Sequence, residues 1–231
     1  MQHPVEIRTQ KYSRQRENVV GADWEWWFTS GGYWLGLRIQ AKKLDQRSMA
    51  YLKLDETDKR GRKQIEVLIE RASASTPKRI PMYVFYNYWD VTTFRPRWKC
   101  QCYGKDYKML GCSISHAERI LKIVTNNKKG IRDIARYMYP WSCLLCCTCF
   151  SRSDVLPERV RDFILGVYDI THITDLPENT FVTRKAPLYV RNIAEGIILP
   201  EEQWEEIPVN LVTVVSAINP VIATYDIPLT S

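Results

Sequence analysis

The stretch "GADWEWWFTSGGYWLGLRIQAKKL", residues 21–44, decides the fold. Gly31-Gly32 is a two-residue turn signal of the primed type, because both positions accept positive φ. With Ser30 and Tyr33 flanking that turn, Trp24 should pair with Ile39, Trp26 with Leu37 and Phe28 with Leu35. These residues make one continuous apolar face, as the buried side of a sheet requires. The opposite face then pairs Asp23 with Gln40, Glu25 with Arg38, Trp27 with Gly36 and Thr29 with Trp34. Lys42 lies on it two residues beyond Gln40. The turn fixes the register, and the register separates apolar from polar residues. The hairpin is therefore expected to have a dry face and a wet face, with an acid, an amide and a lysine at its open end. Glu25 and Arg38 read as a cross-strand ion pair on the wet side, and an edge ion pair between Asp23 and Lys42 is the plainest reading of those two residues.

Beyond the hairpin, Ile65, Leu68, Ile69 and Ala72 recur at helical spacing in "GRKQIEVLIERASAS",. A β-rich run, "IPMYVFYN" (residues 80–87), follows. Hairpin, helix and strand in that order imply a crossover to a parallel neighbour.

An acid at the start of one strand, followed by Gln40-Ala41-Lys42 closing the next, resembles the PD-(D/E)XK nuclease signature. The closest form is the variant in which glutamine replaces the second acid, as in Mrr-like restriction enzymes. The resemblance covers roughly residues 15–90. It implies an α/β fold, a central mixed β-sheet flanked by helices with a restriction endonuclease-like core, spanning residues 1–180. Residues 181–231 would form a C-terminal extension packed on the same domain. It also implies a nuclease that hydrolyses DNA phosphodiester bonds with Mg2+ or Mn2+, acting as the effector of a bacterial restriction or anti-phage system. In that reading Asp23, Gln40 and the Ala41 carbonyl face the metal, and Lys42 orients the attacking water or stabilises charge on the phosphate. Gln40 offers only a neutral oxygen, which leaves the site one negative charge short. Glu17 is the first candidate for the additional carboxylate and Glu6 the second. Glu25 shares the face but lies roughly 6–7 Å nearer the turn. Gln64 resembles a glutamine that orders some nuclease sites, although Leu68 stands where those families carry a tyrosine. The alternative is a catalytically inactive nucleic-acid- or protein-binding module on the same scaffold.

The rest of the chain is consistent with this outline and adds little chemistry. Its 231 residues are 45% hydrophobic and 26% charged, with a formal net charge of +7. That balance suits a polyanionic partner such as DNA; a protein of a defence system and a second copy of the chain are further expected partners. No apolar run reaches membrane-spanning length and the N-terminus shows no secretory h-region, so a cytoplasmic location is expected. The seven cysteines then read as reduced thiols or metal ligands,. Cys143-x2-Cys146 has zinc-knuckle spacing, and Cys100-x-Cys102 would supply the other two thiolates of a structural Zn2+ site; buried small residues are the competing reading. "GCSISHAERILKIVTNN" reads as a strand entering a helix capped by Ser115, with Glu118 completing a capping box and His116 in the first turn. Ile120, Leu121 and Val124 form its apolar stripe. "LPERVRDFILGVY" is a second amphipathic helix. Its Arg159 and Arg161, with Lys128, Lys129 and Arg132, form a candidate phosphate-tracking surface or a solvated basic face. A Gly-Lys-Ser/Thr loop and a serine nucleophile elbow are both missing, and three scattered histidines do not make a His-based hydrolase.

Overall fold

The computed structural model describes residues 5–11, 21–58, 60–90, 92–95, 107–147, 150–168, 181–200, 207, 209 and 211–217. Gly31 and Gly32 take φ of +58° and +76°, the primed turn expected of them,. The register follows from it residue for residue. Strand β2 (Trp24–Ser30) pairs antiparallel with β3 (Tyr33–Lys43), Trp24 facing Ile39, Glu25 facing Arg38 and Trp27 facing Gly36.

Helix α1 (Gln64–Ser73) crosses from β3 to β4 (Arg79–Tyr86), which lies parallel to β3. It buries Ile65, Val67, Leu68 and Ala72. Strand β5 (Cys112–His116) pairs antiparallel with β4, and the short β6 (Tyr139–Pro140) pairs with β5. On the other side of the hairpin stand β1 (Val5–Lys11) and β8 (Leu211–Ala217). The order is β1-β8-β2-β3-β4-β5-β6, and β7 (Val182–Thr183) pairs with the first residues of β3. The fold is α/β, an eight-stranded mixed sheet with helices on both faces. Residues past 181 contribute two of the strands, and β8 lies between β1 and β2, antiparallel to the first and parallel to the second.

Alternation along the strands divides the core in two. Phe28, Leu35, Leu37, Ile39, Ile80, Met82 and Val84 pack on the helices α4 (Cys143–Cys146) and α5 (Leu156–Tyr168). Trp27, Tyr83 and Phe85 pack on α1, α2 (Ala117–Val124), α3 (Ile131–Ile134) and α6 (Leu188–Ala194). The expected wet face is thus a second core face, covered by helices along most of its length. Glu25 is 0% exposed. Its Oε1 accepts from Arg38 Nε at 3.2 Å and Nη2 at 2.7 Å, and its Oε2 accepts from Trp27 Nε1 at 3.0 Å and from the Tyr189 hydroxyl at 2.7 Å. Arg79 Nε lies 2.7 Å from Oε1 as an ion pair without hydrogen-bond alignment. Arg79 also donates through Nη2 to Tyr189 and stacks 5.0 Å from the Trp27 ring centroid. Gly36 makes room for this arrangement, because a Cβ there would lie 2.9 Å from the Trp27 indole. Burial alone would raise the Glu25 carboxyl, but the Arg79 and Arg38 charges, with hydrogen bonds from Arg38 and Tyr189, hold it below its ordinary value.

Three other sequence expectations change. Helix α2 is capped by His116 rather than Ser115, because β5 runs one residue further; His116 Nδ1 accepts from the Glu118 N–H at 3.2 Å. His116 is fully buried, and burial, then the Arg119 charge, lowers its pKa to about 3. Ile123 joins Ile120 and Val124 among the buried residues of α2, and Leu121 packs against the core only partly buried. The proposed basic surface is divided: Arg159 is buried, Lys129 pairs with Asp55, and Arg132 stacks on Phe94.

Two outcomes follow for stability. Glu25→Ala leaves Arg38 and Arg79 buried without their counter-charge and should cost about 3–5 kcal/mol, read by urea denaturation. The second concerns pH. His116 has a folded-state pKa far below its ordinary 6.5, so the unfolded chain binds its proton first on acidification,. Its contribution is complete above 6.5 and declines as pH falls toward 3. Glu25, with its folded value also depressed, adds a second decline below its ordinary 4.5. His116→Asn keeps a capping side chain but removes the first slope, so its stability should be flat between pH 6.5 and 5 where the parent's falls.

Candidate active site

The polar row at the open end of the hairpin is where the second face escapes its helices. The Asp23 N–H donates to the Ile39 carbonyl at 2.8 Å, extending the ladder past Trp24. Asp23 Oδ2 accepts from Gln40 Nε2 at 2.7 Å and from the Ala41 N–H at 2.5 Å. The acid and the amide therefore meet as the register requires. The entry to β2 passes close to α1: Gly21 has φ +65°, and a Cβ there would lie 3.0 Å from both the Gln64 carbonyl oxygen and the Leu68 nitrogen. Only a glycine fits that approach, which seats the chain two residues before Asp23 against the first turn of α1,.

Lys42 is 6% exposed. Its Nζ donates to Gln64 Oε1 at 2.8 Å and lies 3.6 Å from Glu56 Oε2. Gln64 thus takes part in the site even though Leu68 departs from the family pattern. Glu56 carries no sequence signal, since it belongs to the aperiodic stretch between β3 and α1. Its own carbonyl accepts from the Gln64 N–H at 2.9 Å, and this fold-back delivers its half-exposed carboxylate to Lys42. Asp45 also reaches the site, with its Oδ2 engaged by the Ser48 N–H and hydroxyl. Those two hydrogen bonds from Ser48 lower its pKa.

The end of the hairpin and the loop after it line a cleft of about 600 Å³. Asp23, Gln40, Ala41 and Lys42 meet there with Asp45 and Glu56, and Lys43, Arg47 and Lys53 are exposed along it. Across the sheet from Gln40 stands Tyr83. Gln40 Oε1 and the Tyr83 hydroxyl are both buried without a hydrogen-bond partner. Burial first, and the Asp23 charge second, push the Tyr83 phenol well above its ordinary value, so it stays protonated.

An orphaned carbonyl-type oxygen beside a carboxylate is a donor set that suits a hard divalent cation, and the residues present fit one. The other candidate acids divide clearly. Glu25 is committed to Arg38 and Arg79. Glu6 faces Ser216, which faces Thr29, and so lies about 20 Å from Asp23 along the strands,; it pairs with Arg8 at 2.7 Å. Glu17 lies outside the described residues. Asp23 is held by the Gln40 amide and the Ala41 N–H, and Lys42 by Gln64 and Glu56.

Gln40→Glu tests the cation fit directly. It replaces a donated hydrogen bond by a second carboxylate about 2.7 Å from the first, so one of the two should take up a proton at raised pKa. The metal-free variant should melt below the parent, and Mn2+ should raise its melting temperature more than the parent's. Equal shifts in both proteins would argue against a cation at this position.

No curated protein and no solved structure matches the chain. The model of a family of unknown function, DUF6615, matches residues 1–219, and the chain belongs to that family.

Proposed function

We propose that the protein is a metal-dependent nuclease that hydrolyses DNA phosphodiester bonds in the cytoplasm, as the effector of a restriction or anti-phage system. The observation that carries this reading is the meeting of Asp23, the orphaned Gln40 oxygen and a nearly buried lysine on one cleft edged with exposed cations. Lys43, Arg47 and Lys53 hold a phosphate backbone across the cleft. Asp23 and Gln40 Oε1 would hold Mg2+ or Mn2+, which supplies charge neutralisation at the phosphate and a more acidic water. Lys42 is steered by Gln64 and presents its ammonium protons to the attacking water or to a non-bridging oxygen that gains charge in the transition state,. Tyr83, always protonated, holds a hydroxyl in the same row. The order of hairpin, crossover helix and parallel strand supports the resemblance to PD-(D/E)XK enzymes.

One observation favours a second reading, a nucleic-acid- or protein-binding module without catalysis. Asp23 Oδ2 already accepts two hydrogen bonds and Lys42 is already held by Gln64 and Glu56, so much of the polar row is satisfied internally.

Incubation of the purified protein with supercoiled and linear DNA, with and without Mn2+, separates the two. Nuclease activity should depend on the metal, and Lys42→Ala and Asp23→Ala should each lower it by about 10²–10³-fold. Equal cleavage by Lys42→Ala and the parent sinks the catalytic assignment. DNA retention by the parent with no cleavage under any metal supports the binding module.

A further inference from the structure

A second group of metal-ligating side chains lies on the opposite face of the sheet, against the core of Ile39, Met82 and Val84. Cys143 opens α4, Cys146 closes it, and Cys147 follows in extended backbone at φ −81°, ψ 105°. Residues three and four apart share a helix face, which places Cys146 and Cys147 on the side of Cys143,. The three Sγ atoms all lie within 4.8 Å of one another. Cys143 and Cys147 are buried and Cys146 is half-buried. The sequence pattern pointed to Cys143 and Cys146 with Cys100 and Cys102 as partners. Cys100, Cys102 and Cys149 lie outside the described residues, and the third sulfur in the cluster is Cys147.

We propose that Cys143, Cys146 and Cys147 form a thiolate site for a soft d10 metal ion, with Zn2+ as its ligand. The distances favour this over a disulfide. Three sulfurs about 2.3 Å from one zinc ion stand about 3.8–4.0 Å apart, so the cluster needs to close by less than about 1 Å to hold one. A disulfide needs sulfurs about 2.05 Å apart. Between Cys146 and Cys147 it would also have to span adjacent Cα atoms, which at about 3.8 Å fall short of the usual disulfide range. Binding requires no oxidant: each thiol loses its proton to solvent as its sulfur bonds the ion, and no electron moves. The half-buried Cys146 marks the side from which the ion enters. The ion would staple the single turn from Cys143 to Cys147, two residues after Trp141, whose ring packs 6.0 Å from that of Trp26. This site is independent of the nuclease reading, since it lies across the sheet from Asp23.

The test uses the full chain, reduced and stripped of metal by chelation, with circular dichroism to verify that it is folded. Anaerobic addition of Co2+ should produce a thiolate-to-metal charge-transfer band that saturates at one equivalent and disappears when Zn2+ displaces it. Cys146→Ser, the change at the least buried position, should weaken Zn2+ binding at least tenfold, and Asp23→Asn should leave the band unchanged. Four results overturn the proposal: no band in the folded parent, an equal band and affinity in Cys146→Ser, loss of the band in Asp23→Asn, or a disulfide joining two of the three cysteines in freshly purified protein.

Discussion

A single carboxylate inside the sheet organises the molecule. Glu25 is enclosed by Arg38 from the facing strand, Arg79 from β4, Tyr189 from α6 and Trp27 from its own strand. Removing two guanidinium groups and a carboxylate from water is costly, and the cost is offset only when every partner is in position. The network therefore acts as a condition on the whole fold. Arg38 donates through Nη1 to the Arg71 carbonyl in the last turn of α1, and Arg79 donates through Nη1 to the Pro77 carbonyl before β4. One charge cluster thus fixes the hairpin, the crossover helix, the parallel strand and a helix from the C-terminal quarter of the chain.

The candidate site is the continuation of that cluster by two residues. Glu25 and Asp23 share a face, as do Arg38, Gln40 and Lys42. Where helices cover the face, the polar residues neutralise one another and serve stability. Where the covering ends, the same alternation delivers an acid, an amide and a lysine to a cleft. The strands that carry the site are held rigid by the buried network next to it, which is the support that a precise polar arrangement needs.

The legible parts of this architecture were local. Gly31-Gly32 specified a turn, the turn specified a register, and the register put Asp23 beside Gln40. The illegible parts needed a partner distant in sequence. Glu25 and Arg38 alternate with apolar residues and so read as solvated; nothing near them announces that Arg79 and Tyr189 will complete their shell. Arg159 also misleads, since nothing near it in the sequence announces that it will be buried. Glu56 reaches Lys42 through a fold-back of irregular chain that has no period to detect. Ser115 read as the cap of α2, and His116 takes that place because of where β5 ends, a tertiary matter. The third cysteine of the α4 cluster was hidden because a knuckle spacing pairs cysteines across two intervening residues and passes over the neighbour that one turn of helix brings alongside Cys143,.

The place of β8 in the sheet has a consequence for how the molecule comes into being. Trp24 pairs with Leu211, and Lys11 pairs with the same residue on its other side. The ladder partner of β1 and the outer neighbour of β2 therefore arrive only when the ribosome has passed residue 211. Until then the hairpin presents a bare edge to any other strand in solution, the situation that favours mispairing and aggregation. Sheet closure joins positions nearly a whole chain length apart, a connectivity that slows folding and makes it all-or-none. Nascent chains would pass through a stage in which Asp23 and Lys42 have been synthesised but the strand beside them is still missing.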